Sequence, residues 1–309
     1  MYQCQRLLVP LDGSSLAERA LPPAFAIAQA LSTNDRCAVD ILRVVPPLFL
    51  TIDPVLYAET LHLSEEEAQS YLETIAIEWS KADLPITTAV TAGSVAESII
   101  GYTQQNGINL IVMSSHGRSG LGRWVYGSVT EKVLRQGCCA TLIIRQTAKP
   151  PPEVFHKILV CLDGSLLAEQ VLDPIFTIAR ATQAEITLLR VLTPSHLAIE
   201  TYAMEQLLAN VEEMERDTAE AYLRQLLVKL APEGLTITTQ TAVGPAADVI
   251  IDTAANQGFD LIAMCSHGRS GISRWVYGSV TEKVLRGAAC ATFILRGSEA
   301  ASDESDLLQ

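Results

Sequence analysis

The chain has 309 residues, of which 49% are hydrophobic, 18% are charged and 6% are aromatic. This composition excludes a disordered chain, and the length allows two globular domains of about 150 residues each. The net charge of −13 argues against a nucleic-acid binder, which normally presents a basic face, but still permits a nucleotide held by backbone N–H groups.

Cysteine content and hydropathy indicate the cellular compartment in which the protein is expected. The seven cysteines are odd in number and none lies in a C-x-x-C pair, which is typical of reduced thiols in a cytosolic protein. The N-terminal stretch MYQCQRLLVPLDGS lacks a secretory signal pattern, and no run approaches about 18 uninterrupted apolar residues, the length of a membrane span. We therefore expect a cytoplasmic protein with no membrane partner.

The chain contains the same domain twice. Ser115–Arg135 recurs as Ser266–Arg286 with only two positions changed. The same spacing joins Asp12-Gly13-Ser14 to Asp163-Gly164-Ser165. A match of this length indicates a duplication, so each copy is predicted to fold as one domain.

Composition marks the domain boundaries. The segment Arg145–His156 contains three consecutive prolines, which favour an extended spacer. The last residues, GSEAASDESDLLQ, are small, polar and acidic, as in a disordered tail. We predict a first domain at 1–149, a second at 150–297 and an acidic disordered tail at 298–309.

The first copy alternates between strands and helices. Nearly continuous apolar runs are typical of strands buried on both faces of a parallel sheet, and Ser-x-x-Glu patterns mark helix starts. The predicted elements in chain order are a strand Arg6–Leu11, a helix from Ser14 or Ser15 to about Ser32 that Pro22 and Pro23 bend or split, a strand Val39–Val45, a helix from Ser64 to about Lys81, a strand Ile86–Ala92, a helix from Ser94 to about Asn106, a strand Asn109–Ser114, a helix beginning at Ser128 and a strand Ala140–Arg145. This alternation predicts an α/β protein with two tandem, doubly wound, five-stranded, mostly parallel sheets of Rossmann-like type.

Ligands in such sheets bind beyond the carboxyl ends of the strands. This edge collects Asp12, Val44 and the loop after the fourth strand in the first copy. In the second copy it collects Asp163, Val191 and the corresponding loop. Each aspartate either accepts a hydrogen bond from a ligand hydroxyl or amino group, or serves as an N-cap or Asx-turn.

The loop after the fourth strand is rich in glycine, with Gly117, Gly120 and Gly122 ahead of Gly127-Ser128. Glycines let backbone N–H groups approach phosphate oxygens, and a helix N-terminus adds a partial positive charge. The alternative is a tight connection in which Ser128 is an ordinary N-cap. We predict no catalytic residue and no protein metal site, because neither a Ser/His/Asp elbow nor a metal-ligand spacing occurs.

Each copy resembles the universal stress protein (UspA-like) domain along its whole length. The ATP-binding branch of that family carries G-x2-G-x9-G-[ST] after the fourth strand. The two copies read Ser114-x2-Gly117-x9-Gly127-Ser128 and Cys265-x2-Gly268-x9-Gly278-Ser279, so the first motif glycine is replaced in both. The resemblance implies an adenine nucleotide alpha hydrolase-like fold that binds ATP, or ADP or AMP in its place, with or without Mg²⁺.

The resemblance also implies which residues form two nucleotide sites. In the first copy they are Pro10, Asp12, Val44, Met113, Gly117, Arg118, Gly127, Ser128, Val129 and Thr130. In the second copy they are Asp163, Val191, Met264, Gly268, Arg269, Gly278, Ser279, Val280 and Thr281. The family pattern assigns the aspartates to the adenosine moiety, the two strand-end valines to adenine, and the glycine-rich segments to the phosphates.

By the same resemblance the chain is a regulatory or stress-response protein that binds ATP without efficient catalysis. Two alternatives stay open, namely slow Mg²⁺-dependent ATP hydrolysis and an interaction module that binds no nucleotide. Family members commonly dimerise by pairing their last strands antiparallel. We therefore expect Ala140–Arg145 and Ala291–Arg296 to pair within one chain, with a further homodimer as an open question.

Overall fold

The structure, a computed structural model, describes residues 4–32, 37–47, 53–115, 127–145, 151–193, 202–231, 234–266 and 278–297. The chain divides into two compact units, Met1–Val154 with Ala291–Ile294, and Phe155–Cys290 with Leu295–Gln309. In each unit strands alternate with helices around a mostly parallel sheet, so the predicted α/β fold class is confirmed.

The first unit follows the predicted order of elements. Its strands are β1 (Arg6–Leu11), β2 (Ala38–Val45), β3 (Ile86–Ala92), β4 (Leu110–Ser114) and β5 (Ala140–Ile144). Its helices are α1 (Ser15–Glu18), α2 (Leu21–Leu31), α3 (Pro54–Trp79), α4 (Val95–Gln105) and α5 (Ser128–Gln136). The strands lie in the order β3-β2-β1-β4-β5 with parallel pairing throughout. The chain crosses from one half of this sheet to the other between β1 and β4, which is the switch point where such folds bind ligands.

Burial along the strands explains why the apolar runs form this sheet. All five residues of β4 and all five of β5 are buried, as expected for strands covered on both faces. In β3, which lies at the edge of the first unit's sheet, the side chains are half-buried or exposed, and threonines are common. The strands nearest the switch point therefore belong to the core.

The second unit repeats the pattern. Its elements are β6 (Lys157–Leu162), α6 (Leu166–Glu169), α7 (Leu172–Thr182), β7 (Glu185–Leu192), α8 (Tyr202–Leu230), β8 (Ile237–Val243), α9 (Ala246–Asn256), β9 (Leu261–Cys265), α10 (Ser279–Gly287) and β10 (Ala291–Leu295). Strands β8-β7-β6-β9 pair in parallel, in the same order as β3-β2-β1-β4 of the first unit. The duplication in sequence is thus a duplication of fold.

One helix begins earlier than the sequence predicts, and another is split as expected. Helix α3 begins at Pro54, with Asp53 accepting hydrogen bonds from Val55 N (2.8 Å) and Leu56 N (3.4 Å), so the predicted start at Ser64 is wrong. Ser64 lies inside the helix and donates to Thr60 O (2.8 Å), because a serine in a helix interior can bond back to the preceding turn. The helix predicted up to about Ser32 is split into α1 and α2, which confirms the splitting alternative, because α2 begins at Leu21 just before Pro22 and Pro23.

A helix that spans a membrane needs both length and apolar character, and none of the helices in the described ranges combines the two.

Candidate functional site

A cavity of about 280 Å³ opens at the carboxyl ends of β1, β2 and β4 in the first unit. The residues that line it are Pro10, Leu11, Asp12, Ala17, Leu42, Arg43, Val44, Pro46, Val95, Ile99, Met113, Ser114, Gly127, Ser128, Val129 and Thr130. Eight of the ten residues predicted for the first site are among them. The other two, Gly117 and Arg118, lie outside the described residues.

The second unit has a matching cavity of about 260 Å³. It is lined by Cys161, Leu162, Asp163, Ala168, Leu189, Val191, Ala246, Ile250, Met264, Cys265, Ser266, Gly278, Ser279, Val280 and Thr281. Seven of the nine residues predicted for this site line the cavity, while Gly268 and Arg269 lie outside the described residues. Both cavities are mostly apolar, with a few polar groups, as is common in small-molecule sites.

The aspartate after the first strand forms a tight turn in both units. Asp12 Oδ1 accepts hydrogen bonds from Ser14 N (2.9 Å) and Ser14 Oγ (2.5 Å), and Ser14 in turn caps α1. Asp163 Oδ1 makes the same two bonds with Ser165, at 2.9 and 2.6 Å. The Asx-turn is therefore realised, and the carboxylate also lies on the cavity wall.

The N-termini of α5 and α10 point into the cavities. The N-cap residues are Gly127 and Gly278, so the alternative in which Ser128 caps the helix is wrong. A glycine offers no side-chain acceptor to the first N–H groups of the helix, which remain the natural partners of an anion. Gly127 is itself fixed by a hydrogen bond from its N–H to Ser115 O (3.1 Å), and Gly278 by the equivalent bond to Ser266 O (3.1 Å).

A buried threonine in the first turn of each helix ties the site to the preceding strand. Thr130 Oγ1 donates to Ser114 O (3.4 Å) or Ser115 O (3.5 Å). Thr281 Oγ1 donates to Cys265 O or Ser266 O, each at 3.4 Å. These long contacts leave the hydroxyl near the cavity but directed at backbone carbonyls. The hydroxyl of each threonine therefore holds the start of the helix against the end of the preceding strand.

The side chains that replace the first motif glycine are accommodated within the sheet. Ser114 and Cys265 are the last residues of β4 and β9 and are 7% and 6% exposed. A Cβ atom at Gly297 would come within 2.9 Å of Cys265 Sγ, so this thiol is packed against the chain at Gly297. The replacement thus leaves the strand regular, and the cavity is present despite it.

Sequence reasoning missed part of the cavity wall. Val95 and Ile99 are one turn apart at the start of α4 and line the first cavity, as Ala246 and Ile250 line the second. Apolar residues four apart at a helix start after a capping signal could have indicated this face. A second missed residue is Arg43, an arginine inside an otherwise apolar strand, which lines the first cavity.

Helix α4 is also joined to α5 in the first unit. Glu97 pairs with Lys132 of α5 and with Ser94 at its own N-cap. The hydrogen bonds from Lys132 and Ser94 lower the pKa of Glu97 to about 2, so this carboxylate is charged at neutral pH. The two helices that flank the first cavity are therefore linked by an ion pair at the surface.

The cavities contain little that suggests covalent or metal chemistry. Burial raises the pKa of the Cys161 thiol on the wall of the second cavity, which makes it a poor nucleophile. Within the ranges that the structure describes, no group of three or more His, Cys, Asp or Glu side chains is arranged to hold a metal ion. The described arrangement is suited to binding an anionic ligand.

The universal stress protein family model matches the chain at residues 3–145 and again at 155–296. The universal stress protein YxiE of Bacillus subtilis is 30% identical over 148 residues, covering 46% of this chain and 100% of that protein. The universal stress protein Rv2005c of Mycobacterium tuberculosis is 24% identical over 299 residues, covering 94% of this chain and 97% of that protein. A solved universal stress protein from Archaeoglobus fulgidus has the same fold, with a TM-score of 0.71 and 20% identity over 96% of this chain and 98% of that one. The chain therefore belongs to the universal stress protein family and carries two domains of that family in tandem.

Proposed function

We propose that each unit binds one adenine nucleotide, with ATP as the leading ligand and ADP or AMP as alternatives. The observation that carries this proposal is a pairing that recurs in both units. A carboxylate turn after the first strand and a glycine-capped helix N-terminus both line one mostly apolar cavity. A nucleotide has the matching parts, since its base is flat and largely apolar, its sugar carries hydroxyl donors and its phosphates are anionic.

The proposed pose follows from the chemistry of the walls. Val44 and Met113 contact the base, Asp12 accepts a hydrogen bond from the adenosine moiety, and Pro10 completes the apolar wall. The phosphates lie at the start of α5, where the N–H groups of the first turn and the helix dipole favour negative charge. The phosphate-binding residues of the first unit in this proposal are Gly117, Arg118, Gly127, Ser128, Val129 and Thr130.

The second unit binds in the same way. Val191 and Met264 contact the base and Asp163 the adenosine moiety. The phosphate-binding residues of this unit are Gly268, Arg269, Gly278, Ser279, Val280 and Thr281. Mg²⁺, where present, is held by the phosphates, with no ligand assigned among the protein side chains.

We propose that the bound nucleotide acts as a signal in a cytoplasmic stress-response or regulatory protein without efficient catalysis. Calorimetry of the full chain with ATP, together with mass spectrometry of any ligand released on denaturation, tests the binding. We expect saturable binding at millimolar ATP or below. An absence of binding at millimolar ATP, with no adenine nucleotide released, would leave the interaction-module alternative.

A matched pair of variants tests the site. The double change Gly127→Val and Gly278→Val adds branched side chains where the backbone approaches the phosphates, and we expect ATP binding to be lost. A Cβ atom at Gly127 meets only ordinary contacts, at 3.6 Å from Ser115 O, so the fold should tolerate the change. The control is Gly101→Val in α4, where an added Cβ atom meets nothing within 4 Å and which is not among the residues lining the two cavities described above. Equal affinities for ATP in the double variant and the control would contradict the proposed phosphate site.

We also propose that Ala140–Arg145 and Ala291–Arg296 pair within one chain, between domains bounded at 1–149 and 150–297. The grouping of Ala291–Ile294 with the first unit supports this pairing. Hydrogen exchange of the full chain tests it, and we expect slow exchange in both strands that does not change on dilution. Protection that falls on dilution would instead indicate pairing between two chains.

A further inference from the structure

The second strand of each unit carries an arginine near its carboxyl end. Arg43 in β2 lines the first cavity directly. Its counterpart Arg190 in β7 is only 8% exposed and packs against the turn, since a Cβ atom at Gly164 would lie 2.8 Å from Nη1 and 3.0 Å from Cζ of this guanidinium. The Arg190 guanidinium is therefore held inside its unit, next to the turn that presents the carboxylate, and Arg43 lines the same cavity as Asp12.

A tyrosine from the long helix of each unit, α3 or α8, packs against the guanidinium. Arg43 Cζ lies 5.8 Å from the ring centroid of Tyr71, and Arg190 Cζ lies 5.1 Å from that of Tyr222. Both distances are within the range of cation–π interactions. The planar guanidinium is thus packed against a ring, which restricts its orientation.

The tyrosines are fixed in turn by the short helix that follows the turn. Tyr71 OH donates to Glu18 Oε1 (2.8 Å) in α1, and Tyr222 OH donates to Glu169 Oε1 (3.1 Å) in α6. Burial and this hydrogen bond raise the pKa of Tyr71 above its ordinary range, so the phenol keeps its proton. In each unit the glutamate of the short helix, the tyrosine ring and the arginine guanidinium are therefore connected by successive contacts.

The aspartate belongs to the same electrostatic group. Asp12 and Arg43 both act on the pKa of Tyr71, the carboxylate raising it and the guanidinium lowering it. In the second unit, Asp163 and Arg190 act on Tyr222 in the same opposed way. Both charges must lie close to one phenol for this to occur.

The two copies keep this group although they have diverged at another buried polar cluster. Asp40 in β2 is fully buried and bonds to Arg6 Nε (3.3 Å) and Tyr102 OH (2.8 Å). The corresponding residues of the second copy are Thr187, Lys157 and Thr253. This cluster is built from different residue types in the second unit, whereas the arginine, tyrosine, glutamate and aspartate described above are the same in both units.

We propose that Arg43 and Arg190 are positioning residues that orient the Asp12 and Asp163 carboxylates for hydrogen bonds from a bound nucleoside. A carboxylate beside an apolar cavity loses hydration, and a fixed guanidinium offsets that loss. The turn serine bonds to Oδ1 of each aspartate, as described above. This inference rests on the proposed nucleotide binding and adds a residue that acts through the aspartate.

Calorimetry of the full chain with ATP tests the proposal with variants made in both units at once. Replacing both arginines, Arg43→Met and Arg190→Met, should weaken ATP binding about tenfold. The conservative pair Arg43→Lys and Arg190→Lys keeps the charge and should recover part of that loss. The matched control is Arg6→Met with Lys157→Met. It removes two cations at the starts of β1 and β6, away from the carboxyl ends where the cavities lie, and should leave ATP affinity unchanged.

A double-mutant cycle separates positioning from packing. In a chain that already carries Asp12→Asn and Asp163→Asn, the arginine-to-methionine changes should cause no further loss of ATP affinity, because the group they act through is gone. If the arginine changes weaken ATP binding by the same factor in the chain that carries the asparagines, the arginines do not act through the aspartates and the proposal is wrong. Unchanged ATP affinity after the arginine changes in the chain with native aspartates would also overturn it. Failure of the unmodified chain to bind ATP would instead overturn the nucleotide function itself, and this inference with it.

Discussion

A Cβ atom at Gly164 would lie 2.8 Å from Nη1 of Arg190, so the guanidinium occupies the space that any side chain at this position would need. Gly164 also has a φ of 85°, a conformation that strains other residues. Gly164→Ala should therefore lower the free energy of unfolding by more than the roughly 1–2 kcal/mol of backbone strain alone. Chemical denaturation measures this, with Gly258→Ala as the control, since that glycine has a φ of 69° and nothing within 4 Å of an added Cβ. Equal losses would contradict the contact with Arg190.

The duplication supplies a second prediction at the starts of β1 and β6. Asn109 Oδ1 accepts from Gln5 N (2.9 Å) and Arg6 N (3.0 Å), whereas Asp260 accepts from His156 N (2.8 Å) and Lys157 N (3.1 Å) at the matching place. Burial raises the pKa of Asp260, so its charged form is disfavoured in the folded unit. Asp260→Asn should therefore increase the free energy of unfolding at pH 7.

The stabilisation expected from Asp260→Asn should depend on pH. A raised pKa in the folded state means that the cost of the carboxylate is present above that pKa and absent below its unfolded value, about 4. Urea denaturation at pH 7 and at pH 3.5 should show the gain from Asp260→Asn only at the higher pH. The reverse change, Asn109→Asp, should destabilise the first unit at pH 7. A less stable Asp260→Asn variant at pH 7 would count against this account.

Tyr102 offers a test at alkaline pH. Burial and its hydrogen bond to Asp40 raise the pKa of Tyr102 to about 12. Because the folded value lies above the unfolded one, the stabilisation is complete below about pH 10 and is lost as the pH rises toward 12. Tyr102→Phe should lower the free energy of unfolding at pH 8 by about 1–3 kcal/mol, since a buried oxygen of Asp40 loses its donor. The difference between the two proteins should shrink between pH 10 and pH 11.5, and a constant difference would contradict the assigned bond.

Nucleotide binding should appear as added stability. A ligand present at a hundredfold excess over its Kd stabilises a binding-competent fold by about 2.7 kcal/mol per site. The thermal midpoint of the full chain should therefore rise with ATP concentration, and the rise should disappear in the Gly127→Val and Gly278→Val double variant. An equal rise in that variant would show that ATP acts elsewhere on the chain.

Much of this molecule is predictable from short stretches of sequence. The apolar runs of β1, β4 and β5 are recognisable because both faces of these strands are buried, which leaves no place for polar alternation. The turn at Asp12 is recognisable because its hydrogen bonds are to Ser14, only two residues away. Helix α3 was misjudged because Ser-x-x-Glu is a local pattern that also fits the interior of a long exposed helix, as at Ser64.

The duplication, the α/β class and the residues that end the strands are readable without a structure, since all of these depend on local patterns and on repeated spacing. The tertiary structure decided that Arg43 meets Tyr71 and that Tyr71 reaches Glu18, residues that lie on three separate elements. It also decided that Val95 and Ile99 complete the first cavity. No local pattern encodes such contacts, because they exist only once parallel crossovers bring distant parts of the chain to one edge of the sheet.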